Sequence, residues 1–380
     1  MLNQRLFSRQ RLFKNLAHLC RTILAITFIF SGVVKTVDPW GTALKVSEYL
    51  TIYGWDSLQG YVMPFSIWMC GAELMMGLML LFKVRIRLVS IFAVCSMLIF
   101  TVITFLSATV LPVEDCGCFG EAMKLTPWLT FFKNLALLPL ALVVWWRYRR
   151  DRIFSFSKLE LMCAAIFFSV AMGLGIYCYY HLPVIDFLPY KVGVHIADAM
   201  QEEQRAQDEE VETVLVYRNL KNGRIKEFQL DDTEWQDESK WEWVDTRIES
   251  DKNVVKALIS EFALHNAEGD ATEEVLATKG RLYMLCLTRL DRIPNPCEER
   301  LIALTHEALK RGESVICLTP DPLYDRMSLT MGEVEIPCYN IDASTMKTML
   351  RARNGVVVLD DGTIVAKYNC RDIPTSEQMK

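Results

Sequence analysis

Five long apolar runs occupy the first half of the chain, at residues 16–34, 65–82, 88–111, 127–146 and 159–180. A bilayer core needs roughly 20 residues of helix at about 1.5 Å each, and uninterrupted runs of this length rarely belong to buried helices of a soluble domain. Each run is therefore read as a membrane span. The overall composition, 52% hydrophobic, is too apolar for a wholly soluble chain. The excess lies before residue 180, whereas residues 198–380 are rich in Glu, Asp, Lys and Arg. The first run follows "MLNQRLFSRQRLFK" like a secretory signal, but it has no small-x-small cleavage site and continues into "FSGVVKTVDPW", so it is read as an uncleaved helix.

Basic residues set the expected orientation. Arg5, Arg9, Arg11 and Lys14 precede the first span; Lys83, Arg85 and Arg87 separate the second from the third; Arg147, Arg149, Arg150, Arg152 and Lys158 separate the fourth from the fifth. Such clusters stay on the cytoplasmic side. The N-terminus is then inside, and an odd number of spans puts residues 181–380 outside, together with the loop "LPVEDCGCFGEAMK". In a bacterial inner membrane that side is oxidising, and paired cysteines there tend to become disulfides. A bond between Cys116 and Cys118 would close a very small ring, a geometry a relaxed disulfide does not favour, so it would serve as an exchangeable bond more readily than as a staple. Two loop thiols with no chemical task are the other reading. Cys20, Cys70, Cys95, Cys163 and Cys178 fall inside spans and read as small packing residues.

Among the charges within spans, Glu73 in "CGAELMMGLMLLF" and Lys133 in "TFFKNLALLPL" stand out. Each costs roughly 2.5–3.5 kcal/mol on insertion scales, and each lies on the order of 10 Å from the outer end of its helix. A Glu73–Lys133 pair is expected, either as a register device or as a polar site for a quinone headgroup or proton path. No other cofactor is evident. The five histidines are scattered without metal-ligand spacing, no phosphate-cradling glycine loop occurs, and the net charge of −5 argues against nucleic acid. The expected partners are the lipid bilayer and an extracytoplasmic thiol or disulfide protein.

The segments "RTILAITFIFSGVVKTVDPWGTALKVSEYL", "GAELMMGLMLLF" and "DCGCFGEAMKLTPWLTFFKNLALL" together resemble the DoxX-like superfamily and, within it, the MauE branch of methylamine utilisation membrane proteins. The resemblance covers roughly residues 10–148 and implies a four-helix membrane bundle with a respiratory or redox task outside the cytoplasm. It carries over Ser31, Gly32, Lys35, Asp38, Pro39, Glu73, Cys116, Cys118, Phe119, Gly120, Lys133 and Asn134 as family positions. Membrane disulfide-forming enzymes relay electrons through two cysteine pairs. Here the loop from Lys35 to Met63 has no cysteine, so a second pair must come from the soluble part or from another protein.

After residue 180, the acidic stretch "DAMQEEQRAQDEE" precedes a predicted hairpin, "VETVLVYRNL" and "RIKEFQL" around "KNG". Trp235, Trp241 and Trp243 follow and read as packing residues rather than a ligand clamp. From residue 280 onward the pattern is strand, helix, strand, helix and terminal hairpin, which resembles the thioredoxin fold over roughly residues 252–380. The redox motif of that fold is missing. Cys297 stands near the first helix without a Cys-x-x-Cys partner, and Asn354 and Gly355 occupy the place of the usual proline. Cys297 is carried as a secondary thiol; Cys286, Cys317 and Cys338 read as interior or loop thiols.

The expected organisation is a cytoplasmic N-terminus (1–15), a four-helix DoxX/MauE-like membrane domain (16–148), a fifth transmembrane helix (159–180), a linker with a β-hairpin (181–251) and an α/β thioredoxin-like extracytoplasmic domain (252–380). Three functions stay open: thiol–disulfide exchange through Cys116 and Cys118; a non-enzymatic anchor or assembly factor for a redox complex, with the thioredoxin-like domain as a binding module; or small-molecule passage through the bundle, for which only Glu73 and Lys133 speak.

Overall fold

The computed structural model describes residues 2–110, 117–123, 125–151, 157–220, 224–229, 232, 234–237, 240–250, 259, 262–323 and 328–374. Helix α1 (Leu2–Val37) stops at Asp38, whose backbone leaves the helical region because Pro39 follows it. Pro39 then opens α2 (Pro39–Ile52), where its missing N–H is no loss, and the Asp38 carboxylate caps the new helix by accepting from the Gly41 N–H at 2.9 Å. The segment read as a loop between the first two spans is thus largely helical. The remaining apolar runs form α3 (Val62–Phe82), α4 (Ile86–Thr109), α5 (Pro127–Tyr148) and α6 (Lys158–Tyr180). All five expected runs are helices long and apolar enough to cross a membrane.

Glycines set how closely α1 and α3 pack. A Cβ on Gly32 would lie 2.5 Å from the Leu74 backbone, and one on Gly77 would lie 2.7 Å from the Ile29 nitrogen. Small residues permit this approach, which is what holds helices together where lipid removes any hydrophobic preference for the interior. Leu24, Phe28, Leu80, Ala93, Met97, Ala141 and Val144 fill the bundle interior, while Phe92, Ile99, Val102 and Phe132 are exposed on its outer surface. The Arg21 guanidinium, buried beside them, donates to the Leu80 and Leu81 carbonyls in the last turn of α3 at 2.5 and 2.6 Å. Helix α6 is the most peripheral, with 17% of its span buried against 50% for α1.

Beyond α6 the chain does not run as a free linker. Leu188, Tyr190 and Ile196 are buried, and Gly193 and Ile196 donate backbone hydrogen bonds to Ile364 and Gly362. The acidic helix α7 (Ile196–Glu210) leads into β1 (Val211–Asn219), which pairs antiparallel with β2 (Ile225–Gln229), as the hairpin reading requires. The "KNG" turn itself lies outside the described residues. A third strand, β3 (Trp241–Ser250), was not expected; it pairs along the other edge of β1. Trp241 meets Phe228 edge-on at 4.8 Å and Trp235 lies 5.8 Å from Tyr217, so these rings pack the small sheet, while Trp243 is exposed.

The larger sheet is built from β4 (His265–Asn266), β5 (Gly269–Asp270), β6 (Arg281–Leu287), β7 (Ser314–Thr319), β8 (Ser328–Met331), β9 (Val334–Asn340), β10 (Asn354–Asp360) and β11 (Thr363–Asn369), in the order β11-β10-β6-β7-β9-β4-β5, with β8 on β9. Helices α8 (Thr272–Leu276), α9 (Asn295–Lys310) and α10 (Ala343–Met349) cover it. Strand β6 is parallel to β7 and antiparallel to β10. Alternation along β6 sends Leu282, Met284 and Cys286 into one core and Tyr283, Leu285 and Leu287 into another, so the sheet is buried on both faces. The α/β unit therefore reaches back to about residue 188 rather than starting at residue 252.

Candidate functional site

The last two turns of α1 carry most of the site. Gly32 brings α3 close enough that Lys35 Nζ meets Glu73 Oε2 at 2.7 Å, with both side chains almost wholly buried. This pair takes the place of the expected Glu73–Lys133 contact. Depth along the helices put Lys133 at a plausible height, but α5 aims it at the loop, where its ammonium lies 4.1 Å over the Phe119 ring. Asn134 faces α4 and donates to the Thr104 hydroxyl at 3.4 Å. Glu73, Lys133 and Asn134 thus do not form one polar cluster; Lys35 is the residue that completes it.

One turn before Lys35, the Ser31 hydroxyl donates to the Cys118 carbonyl at 2.6 Å. Phe119 is buried against Phe30, ring centroids 5.4 Å apart. Gly120 has φ +52 and packs towards Val34, so a side chain there would combine backbone strain with crowding. These contacts fix the second half of the Cys-Gly-Cys loop on α1 and set the half-buried, free Cys118 thiol within Coulombic reach of the Lys35 ammonium. Cys116 lies outside the described residues. One turn from Glu73 towards the start of α3, Cys70 donates to the Thr42 hydroxyl of α2 at 3.4 Å, which gives one of the span cysteines a polar contact besides packing. Glu73 also borders a cavity of about 500 Å³ between α3, α4 and α6, lined by Met69, Met75, Met76, Phe92 and Met172.

Asp38, just past this cluster, meets the α/β domain. Arg351 Nε lies 3.1 Å from Asp38 Oδ2, and the arginine is fully buried. Both Arg351 and Lys367 donate to carbonyls near the end of α10, at Lys347 and Met349, where cations suit the helix C-terminus. Lys367 also pairs with Asp186 at 2.5 Å, and His181 at the end of α6 meets Asp372 at 2.7 Å. The Cys-Gly-Cys loop and the α/β domain consequently occupy the same end of the bundle.

The α/β domain corrects the reading of Cys297, which is not a free secondary thiol. It is joined to Cys370 across 73 residues, Cα atoms 5.3 Å apart. Cys370 carried no sequence signal, because its partner is distant in the chain and no local spacing links them. Cys286 is buried in β6, and burial pushes its thiol up to about 12. Cys317 and Cys338 face each other across β7 and β9; donation from Cys317 to Cys338 raises the first thiol and lowers the second. Among the described residues, no group of three His, Cys, Asp or Glu side chains is placed to hold a metal ion.

Residues 13–147 match the family described as methylamine utilisation protein MauE. The bundle is MauE-like. The match spans α1 to α5 and every motif position from Ser31 to Asn134, so the Lys35–Glu73 pair and the Ser31–Cys118 contact lie inside the MauE-like segment. Together with the five apolar helices it makes this chain a multi-pass membrane protein. A second match, to a domain of unknown function (DUF8463), covers residues 211–252 and coincides with the three-stranded sheet. No curated protein and no solved structure matches the chain.

Proposed function

We propose that the protein is a membrane-anchored thiol–disulfide exchange factor of the bacterial inner membrane, with a role resembling methylamine utilisation: maturation of a disulfide-containing partner outside the cytoplasm. Cys116 and Cys118 alternate between disulfide and dithiol. A thiolate of the partner attacks the loop disulfide, its second thiol resolves the mixed disulfide, and two electrons and two protons pass to the loop. A membrane quinone restores the loop disulfide and leaves as quinol.

The observation that carries this reading is the placement of Cys118. Ser31 fixes its backbone at the mouth of the bundle, one turn of α1 from Lys35 in the buried Lys35–Glu73 pair. The cavity beside Glu73 offers an apolar berth for a quinone. Basic residues on the opposite loops support an outer position for the Cys-Gly-Cys loop and the C-terminal domain. The order β11-β10-β6-β7, with α9 between β6 and β7 and a terminal hairpin, supports the thioredoxin-like reading of that domain and with it the DoxX-like redox theme.

The test is thiol trapping in membranes with an alkylating mass tag, with and without reductant and a soluble quinone, comparing wild type with Cys116→Ser. Loop cysteines that stay in one redox state under every condition refute the proposal. A second reading, an anchor or assembly factor, is favoured by the buried Arg351–Asp38 contact and the missing Cys-x-x-Cys motif. It expects partner capture to survive in Cys116→Ser/Cys118→Ser.

A further inference from the structure

The α/β domain meets the bundle around a cleft of about 580 Å³, and the Cys297–Cys370 disulfide forms part of its wall. Trp40 and Tyr179, stacked at 5.9 Å, line the cleft from the bundle side. Arg300, Arg353 and Arg371 line it from the domain side, and among the described residues no Asp or Glu does. Two of these guanidiniums are held in place. Arg300 donates to the Cys370 and Arg371 carbonyls, and Arg371 lies 4.2 Å over the Tyr180 ring. The sulfurs belong to residues only 6% and 8% exposed, so a reactant meets them through the cleft and not from open solvent. A disulfide that only tied the end of β11 to α9 would need neither this opening nor three arginines lining it.

We propose that Cys297–Cys370 is a second exchangeable disulfide and that its cleft admits a thiol pair carried on an acidic polypeptide segment. The incoming thiolate attacks the Cys370 sulfur; a bond to Cys370 forms as the bond to Cys297 breaks. Cys297 leaves as a thiolate in the first turn of α9, where the helix N-terminus stabilises negative charge. The second thiol of the segment loses its proton, attacks the mixed disulfide and displaces Cys370. Two electrons and two protons pass from the segment to Cys297 and Cys370, and the segment departs oxidised. The arginines raise the local concentration of an acidic segment and lower the energy of each thiolate as it forms. This site goes beyond the loop chemistry proposed above and does not need it.

The experiment uses the full chain in nanodiscs with Cys116→Ser/Cys118→Ser, so that the loop contributes nothing. Two dithiol peptides of equal length, one flanked by Asp and one by Lys, are offered to the oxidised protein. The mixtures are quenched in acid, mass-tagged and mapped. Reduction of Cys297 and Cys370 is expected to run about tenfold faster with the acidic peptide, the gap closing at high salt. Arg353→Glu/Arg371→Glu should reverse the preference; it keeps the disulfide and so does not hinge on folding without it. A single-thiol version of the acidic peptide, which cannot resolve, should be trapped as a mixed disulfide on Cys370. No reduction by either peptide, or equal rates with both, overturns the proposal. Because the loop cysteines are absent, failure here leaves the loop reading intact. A loop that never changes redox state in wild type leaves this one intact.

Discussion

Replacing Arg351 by Met tests the contact that ties the α/β domain to the bundle. Arg351 is fully buried and reaches Asp38, 313 residues away in sequence, with Nε 3.1 Å from the carboxylate. At that distance and an effective dielectric of about 20 the attraction is roughly 5 kcal/mol, offset in part by the desolvation of both groups. Methionine fills much of the same volume but leaves Asp38 as an unpaired, nearly buried charge, and loss of one partner from such a pair costs about 3–5 kcal/mol. The 3.2 Å hydrogen bond to the Lys347 carbonyl is lost as well. Asp38→Asn is the companion variant, because its side-chain oxygen still accepts from the Gly41 N–H and preserves the α2 cap. Urea unfolding of the full chain in micelles, read by hydrogen exchange in α10, gives the four corners of a double-mutant cycle. A coupling energy of at least about 2 kcal/mol is expected. If Arg351→Met falls within about 0.5 kcal/mol of wild type, or the coupling is near zero, the contact does not hold the domain in place and the reasoning fails.

Lys35→Met should destabilise the bundle by roughly 3–5 kcal/mol in micelle unfolding, because Glu73 is left charged and buried, while Lys35→Met/Glu73→Met should recover most of the loss. Cys286 should resist maleimide at pH 8 in the native protein and react once the chain is unfolded, since burial raises its thiol to about 12; labelling at the rate of an exposed cysteine would contradict this. The hydroxyl of Thr272, then its N–H, hold the Asp270 carboxyl below its ordinary value. Its folded value is depressed, so the stabilisation is complete above about pH 4 and fades as pH falls through the lower folded value. Asp270→Asn should therefore flatten the acid limb of a plot of urea midpoint against pH.

Much of the fold was legible because its signals are local. Apolar runs count directly against the bilayer, as the five spans show, and period-two strands such as β6 and β10 state which faces are buried. The hairpin of β1 and β2 followed from turn chemistry. Strand β3 was missed because alternating charges and tryptophans mask its apolar face. The motif positions Ser31, Lys35 and Glu73 were legible as a set through resemblance, but not which of them touch.

The sequence by itself determined that this chain enters a membrane, how many helices are apolar enough to cross it, and that a charged α/β region follows. Each of those depends on residues within one helix or strand. The pairings were decided only by tertiary structure: Lys35 with Glu73, Arg351 with Asp38, Cys297 with Cys370. A buried charge or thiol needs a partner, but which one depends on how each helix is rotated and where separate segments dock. No local pattern records either.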